Sequence, residues 1–84
     1  MFTNKSTDGK NNICGKQIAA RRKELGKSQR QLAEMLQLSG LDIDKNAIQR
    51  IESGERFVSD IELAIFARYF CVPADELLRQ TPRY

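Results

Sequence analysis

The sequence predicts an all-α domain built from five short helices. Apolar residues recur at helical spacing, each such stretch is bounded by residues that cap helices, and no stretch shows the alternation of a half-buried strand. The chain has 84 residues, of which 40% are hydrophobic. A chain of this length and composition folds as one domain around one modest core.

The first two helices are predicted from their caps. Asn12 is a candidate N-cap for a helix over residues 13–25, and Gly26 is placed to end it. Ser28 opens the second helix in a capping box with Gln31, and this helix ends near residue 38. The inner faces are expected to hold Ile13, Cys14, Ile18 and Leu25, with Ala19 and Ala20 between them, and then Leu32, Ala33, Met35 and Leu36.

The third helix is predicted over residues 45–53. Asp44 is a candidate N-cap, and Gly54 is a candidate C-terminal stop. Ile48 and Ile51 are three residues apart and are expected to point inward. The opposite side of this helix is polar.

The last two helices follow the same logic. A second capping box, formed by Ser59 and Glu62, starts a helix that runs to about residue 70. A short fifth helix is predicted over residues 73–78, with Pro73 early in it, where the missing N–H costs nothing. The inner face of the fourth helix is expected to hold Leu63, Ala64, Phe66, Ala67 and Phe70.

The ends of the chain are predicted to lie outside the domain. Residues 1–11 are polar and lack periodicity, so we expect a flexible tail, and we expect residues 80–84 to be frayed. This leaves residues 12–79 as the domain. The polar N-terminus has no apolar secretory segment, so a cytoplasmic location is expected.

The composition excludes several classes of function. The chain has no His and only two Cys, which excludes a zinc finger and any His-based metal or catalytic site. We therefore expect no metal, no cofactor and no enzymatic activity, and no small-molecule ligand is evident. No apolar run approaches the length of a membrane span. Cys14 and Cys71 are expected to be reduced and to lie in or beside the core.

The net charge of +3 is unevenly distributed. Residues 1–30 carry eight basic and two acidic side chains, whereas residues 31–84 carry six basic and nine acidic ones. This asymmetry fits a surface that faces a polyanion, and it equally fits a first helix whose Lys and Arg side chains are simply solvated. Composition alone does not choose between the two.

A set of residues spread over most of the chain stands in a specific order and spacing. Single pieces of it are weak signals, but the ordered set is specific. It consists of Arg22, Leu25, Gly26, Lys27, Ser28, Gln29, Leu32, Ala33, residues 48–56 and residues 72–78. In this arrangement residues 13–78 resemble the phage-repressor family, also called Xre or lambda-repressor-like. The resemblance implies a five-helix bundle whose third helix enters the major groove of DNA.

The resemblance makes the outward side of the third helix the candidate DNA-reading surface. Its side chains suit that role, because Asn and Gln can bond adenine bidentately while Arg and Lys suit guanine. Lys45 and Asn46 stand at the N-terminal end, which penetrates the groove deepest in this motif. The alternative is that these residues are simply solvent-exposed polar positions, and without the resemblance the two interpretations fit equally well. The base-reading candidates are Lys45, Asn46, Gln49 and Arg50.

The resemblance also implies phosphate contacts and an internal ion pair. In the family, a Gln at the position of Gln29 bonds a phosphate and braces the third helix. Ser53 stands where the family has an Asn that touches the DNA backbone. The phosphate candidates are Lys27, Ser28, Gln29, Arg30, Ser53 and Arg56, and a solvated charge is the alternative for the basic ones. Arg22 and Glu52 match positions that pair in similar proteins, so we expect a structural ion pair.

One segment departs from the family pattern. Eight residues separate Ser39 from Ile48, where the family has a turn of about three. Leu41 and Ile43 are expected to pin the longer turn to the core. Asp44 is interpreted as a helix cap, with acceptance of a bond from a cytosine amine as the alternative. The extra residues bear on the tilt of the third helix and on which residue makes its first contact.

Two classes of function fit the sequence. The first is a sequence-specific regulator of transcription, in which two copies bind double-stranded DNA as a homodimer and act as a repressor. Ile61, Ile65 and Tyr69 lie at successive four-residue steps of the fourth helix and are the candidate dimer face, although wider burial of that helix explains them equally well. The second class is a protein-interaction module, such as an antitoxin or a controller protein.

Overall fold

The computed structural model describes residues 9–79, and the regular secondary structure in them is helical. It contains α1 (Gly15–Glu24), α2 (Gln29–Leu38), α3 (Lys45–Ser53), α4 (Asp60–Phe70) and α5 (Ala74–Leu78). The all-α fold with five helices is therefore confirmed, and within residues 9–79 there is no strand. The predicted frayed end, residues 80–84, lies outside the described residues.

The caps that start α2, α3 and α4 are the ones that the sequence predicts. The Ser28 hydroxyl accepts from the Gln31 amide at 3.0 Å, and the Gln31 side chain accepts from the Ser28 amide at 2.8 Å. Ser59 and Glu62 form the same reciprocal pair at the start of α4. At α3, the Asp44 carboxylate accepts from the Ala47 amide at 2.8 Å. These bonds satisfy amides that the first turn of a helix leaves without partners.

Two predicted helix starts are corrected. Helix α1 begins at Gly15 rather than at residue 13, although Asn12 still serves its first turn by accepting from the Gly15 amide at 2.8 Å. The reason is that the Asn12 side chain also bonds backbone far along the chain, which holds residues 12–14 in a turn. Pro73 precedes α5 as its N-cap in extended backbone and is not part of the helix.

The core lies where α1, α2, α3 and α4 meet, and α5 closes it. Its fully buried large side chains are Ile18, Leu32, Leu36, Ile48, Ile51, Phe66 and Leu77. Five residues predicted to face inward are instead exposed: Ile13, Ala20, Leu25, Met35 and Ala64. Ile13 and Leu25 lie just outside α1, Met35 lies at the edge of the buried stripe of α2, and Ala64 points away from Phe66 across α4.

The long connection between α2 and α3 is anchored, as the sequence predicts. Leu41 and Ile43 are buried in the core. The Gln37 side-chain amide donates to the Ile43 carbonyl at 2.8 Å, which ties the connection back to α2. Gly40 has φ +93°, a left-handed conformation that a residue with a side chain rarely adopts. Because the inserted residues themselves pack into the core, they hold the start of α3 in place.

The two cysteines differ in environment. Both are free thiols. Cys14 is buried, and this burial raises its pKa to about 11. Cys71, expected in or beside the core, is exposed because it ends α4 in a left-handed conformation with φ +58°. Among residues 9–79, no helix is long and apolar enough to cross a membrane.

Candidate nucleic-acid interface

The candidate interface is the outer face of α3. Ile48 and Ile51 are fully buried on the inner face. On the opposite side the four predicted base-reading residues are all exposed: Lys45, Asn46, Gln49 and Arg50. Within residues 9–79, none of these four side chains makes a hydrogen bond or an ion pair with the protein. Their donors and acceptors are therefore available to an external partner.

A shallow open cavity of about 270 Å³ lies along this face. Its lining residues are Asn46, Gln49, Arg50, Ser53 and Glu55, so three of the four predicted base-reading residues meet in it. Lys45 lies on the same helix but outside this lining. Glu55 also lines the cavity, although it was not among the predicted site residues. Its place there depends on the turn after α3 folding back beside the outer face, and no local sequence pattern indicates that.

The inner side of α3 is fixed by an ion pair with α1. Arg22 Nε donates to Glu52 Oε2 at 2.7 Å, and Arg22 Nη2 donates to Glu52 Oε1 at 3.0 Å. The two side chains are only 12% and 9% exposed. The hydrogen bond to the Glu52 carboxylate raises the pKa of Arg22 above its usual value. A bidentate pair of this kind is rigid as well as strong, so it orients the helix.

The same carboxylate also ties α3 to α2. Gln29 Nε2 donates to Glu52 Oε1 at 2.9 Å, and Arg22 Nη1 donates to the Lys27 carbonyl at 2.8 Å. Glu52 is therefore the meeting point of three helices. The Gln29 side chain, predicted as a phosphate contact, is placed beside α3, and it supports that helix through Glu52.

Arg56 has a partner that the sequence analysis did not anticipate. Its Nη1 and Nη2 atoms donate to the two carboxylate oxygens of Glu62 at 3.1 and 3.0 Å. Burial tends to raise the pKa of Glu62, but hydrogen bonds from Arg56 and the Ser59 amide outweigh it, and the pKa lies below its ordinary value. Glu62 thus closes a capping box and anchors Arg56 at the same time.

The remaining phosphate candidates lie on two elements. Lys27 is half-buried in the loop before α2, and Arg30 is exposed in its first turn. Ser28 caps that turn, so its hydroxyl is engaged with the Gln31 amide. Ser53 donates its hydroxyl to the Arg50 carbonyl at 3.0 Å. Contact of any of these residues with DNA stays a prediction.

The residues just before α1 contact the C-terminal end of α3, which the sequence did not predict. Of the predicted tail over residues 1–11, residues 1–8 lie outside the described part of the chain. Lys10 and Asn11 are held against the C-terminal end of α3 by hydrogen bonds, so the tail does not extend through them. The sequence signal for this contact is the pair of consecutive Asn residues before the helix, since Asn side chains often bond backbone groups.

The predicted dimer face on α4 is only partly open. Ile61 is 69% exposed, whereas Ile65 and Tyr69 are half-buried and pack against the core. Tyr69 also stands edge-on to Phe70, with ring centroids 5.2 Å apart. Only the N-terminal end of the strip therefore offers an uncovered apolar side chain.

Comparison with known proteins agrees with this geometry. A family model described as helix-turn-helix matches residues 18–77. These residues cover α2, α3 and α4 completely and most of α1 and α5. No significant match was found among curated proteins or among solved structures. The matched segment contains the Arg22–Glu52 ion pair and the exposed polar face of α3. The chain belongs to the Xre, or lambda-repressor-like, helix-turn-helix family of DNA-binding transcription regulators.

Proposed function

We propose that this protein is a sequence-specific repressor of transcription that inserts α3 into the major groove of double-stranded DNA as a homodimer. The observation that carries the proposal is the contrast across α3. On its inner face Glu52 bonds residues of α1 and α2, whereas the polar side chains of its outer face make no hydrogen bond within residues 9–79. A major groove admits one α-helix and displays a different pattern of donors and acceptors for each base pair.

The outer face carries the chemistry that base reading needs. Asn46 and Gln49 each present an amide that can donate and accept at once, as adenine requires. Arg50 and Lys45 present donors suited to guanine O6 and N7. Glu55 adds an acceptor at the edge of the same cavity, where a carboxylate can take a bond from a cytosine amine and repels phosphate. This mixture favours discrimination among bases over plain charge attraction.

The phosphate contacts would come from the elements on either side of α3. Lys27 and Arg30 supply charge at the start of α2, and the free amides and positive dipole of that helix end add to the attraction for an anion. Ser28 and Gln29 would contribute neutral hydrogen bonds, and Ser53 would do so by redirecting the hydroxyl that donates to the Arg50 carbonyl in this structure. Arg56 would contribute least, because Glu62 already occupies its guanidinium group.

The homodimer rests on two arguments. One copy of α3 offers only three or four base contacts, so useful specificity needs a second copy, with half-sites roughly 34 Å apart. Ile61, at 69% exposed, is the uncovered apolar residue of the face formed with Ile65 and Tyr69. The cytoplasmic location expected from the sequence stays a prediction.

Selection of bound duplexes from a random pool tests the proposal directly. We expect enrichment of a near-palindromic site, and an affinity whose logarithm falls linearly with the logarithm of salt concentration. A selected site without symmetry would contradict the homodimer, and failure to enrich any sequence would contradict base reading.

A protein-interaction module is the second candidate. The observation that favours it is the exposure of large apolar side chains away from α3, with Leu38 82% and Ile61 69% exposed. These are the two most exposed large apolar side chains of residues 9–79, and a protein partner could cover either of them. Failure to bind any duplex at low salt, where phosphate attraction is strongest, would favour this candidate.

A further inference from the structure

The segment just ahead of α1 is bonded to the C-terminal end of α3. Asn12 stands at the centre of this contact. Its Oδ1 atom accepts from the Gly15 amide at 2.8 Å, while its Nδ2 atom donates to the Ile51 carbonyl at 3.1 Å and to the Arg56 carbonyl at 2.7 Å. One side chain therefore joins the start of α1, the end of α3 and the turn that follows α3.

The two preceding residues extend the contact. The Asn11 amide donates to the Gly54 carbonyl at 2.8 Å, and its side chain donates to the Glu55 carbonyl at 2.8 Å. Lys10 Nζ donates to the Ser53 carbonyl at 3.0 Å. The aliphatic part of Lys10 covers Gly54 closely enough that a Cβ there would lie 2.5 Å from Lys10 Cδ.

These bonds supply what the end of a helix lacks. The last carbonyls of an α-helix have no partner within the helix, and water usually satisfies them. Here a separate segment of the chain satisfies them, with donors fixed relative to α1. The approach is close, because a Cβ on Gly15 would collide with the Ile51 carbonyl oxygen. The end of α3 is thus held by contacts that leave it little room to move.

We propose that residues 10–12 form a clasp that sets the position of α3 for base reading, with Asn12 as its positioning residue; this rests on the DNA-binding function proposed above. The Arg22–Glu52 pair orients α3 through a side chain. The clasp adds a separate set of contacts, because it fixes the backbone just beyond Glu52, at the C-terminal end of α3. It also holds Glu55 beside Arg50 and Ser53 through the Asn11 side chain.

Asn12→Asp tests the clasp with one change of atom type. The carboxylate keeps an oxygen that can accept from the Gly15 amide, but it cannot donate to the Ile51 and Arg56 carbonyls. The matched control is Gln17→Glu. Gln17 is on α1 and donates its side-chain amide to the Arg79 carbonyl at 3.2 Å, so the control loses a similar bond and gains the same charge away from α3.

The measurement is the ratio of affinities for the selected duplex and for a random duplex of equal length, at one salt concentration. Partial unfolding lowers both affinities by the same factor and leaves the ratio unchanged. We expect Asn12→Asp to lower the ratio at least fivefold, about the value of one lost base contact, and Gln17→Glu to preserve it. A ratio unchanged in Asn12→Asp would overturn the clasp.

A second measurement needs no DNA. The amides of Gly54, Glu55 and Arg56 donate to carbonyls in the last turn of α3. We expect their hydrogen exchange to accelerate in Asn12→Asp relative to amides within α2, and to stay unchanged in Gln17→Glu. Equal exchange in all three proteins would overturn the clasp. Wild-type protein that binds no duplex would overturn the proposed function instead, so the two failures are distinguishable.

Discussion

On the inner face of α3, Glu52 is held by residues of two other helices, whereas on the outer face Asn46, Gln49 and Arg50 have no side-chain partner within residues 9–79. The two faces belong to the same nine-residue helix, so the difference comes from side chains and not from backbone. A rigid inner face keeps the helix in one orientation. Side chains left uncommitted on the outer face can then form bonds to a ligand without first breaking bonds to the protein.

This comparison predicts that changes on the inner face destabilise the fold. Glu52→Ala leaves the Arg22 guanidinium charged, only 12% exposed and without its carboxylate partner. We expect the free energy of unfolding to fall by about 3 kcal/mol, measured by urea denaturation. Glu55→Ala removes an exposed carboxylate next to the outer face and serves as the control, with an expected change within about 0.5 kcal/mol. Equal losses in the two variants would contradict the comparison.

Changes on the outer face should act on binding alone. Asn46→Ala is expected to cost about 1–3 kcal/mol on the selected duplex and to relax the preference at one base pair, since a bidentate amide contact is lost. The unfolding free energy should not change, because the Asn46 side chain bonds nothing in residues 9–79. Titration of both duplexes checks this. An equal loss on selected and random duplexes would show that Asn46 does not read a base.

The ion pair between Arg56 and Glu62 lies between these extremes, because the two side chains are 33% and 16% exposed. Glu62→Gln keeps an oxygen for the helix cap but removes the charge that faces Arg56, so we expect a loss of about 1 kcal/mol. In the wild type the pKa of Glu62 is lowered on folding. Its contribution is therefore fully present above pH 4.5, the ordinary pKa of the carboxyl group, and is lost as the pH falls through the lower folded value.

Urea denaturation of the wild type and Glu62→Gln across the acid range measures this linkage. The stability difference between the two should shrink as the pH falls below 4.5. Glu34→Gln, an exposed change on α2, controls for the loss of one negative charge. A difference that stays constant with pH would show that the Arg56 contact does not favour the ionised form.

The smallest effect is expected where contact is purely electrostatic. Lys27→Ala should weaken binding to every duplex alike and reduce the slope of log affinity against log salt by about one. Arg68→Ala on α4 removes the same charge outside the candidate interface and should leave the slope unchanged. A loss confined to the selected duplex would reassign Lys27 to base reading.

The parts of the fold that the sequence predicted correctly depend on short-range interactions. Ser28, Asp44 and Ser59 each cap an amide three residues away, so the starts of α2, α3 and α4 could be read locally. The start of α1 could not, because Asn12 also bonds Ile51 and Arg56, which lie 39 and 44 residues away. A pattern within one segment carries no information about a partner so distant.

The candidate site divides in the same way. The polar face of α3 follows from helical periodicity, since Ile48 and Ile51 define the opposite side. The place of Glu55 beside that face and the pairing of Arg56 with Glu62 depend on how the turn after α3 folds back. The capping box accounts for Glu62 in the sequence, so its second role as the partner of Arg56 was not predicted.

The contrast between the two thiols makes the molecule selectively labelable without removing a cysteine. Cys14 is buried and its pKa is raised to about 11, so near neutral pH its thiol is protonated and shielded from reagents. Cys71 is exposed. A maleimide dye will therefore attach at Cys71, at the junction of α4 and α5. Energy transfer between a donor-labelled copy and an acceptor-labelled copy on a duplex then gives the distance between the two Cys71 positions, which constrains how the copies are arranged.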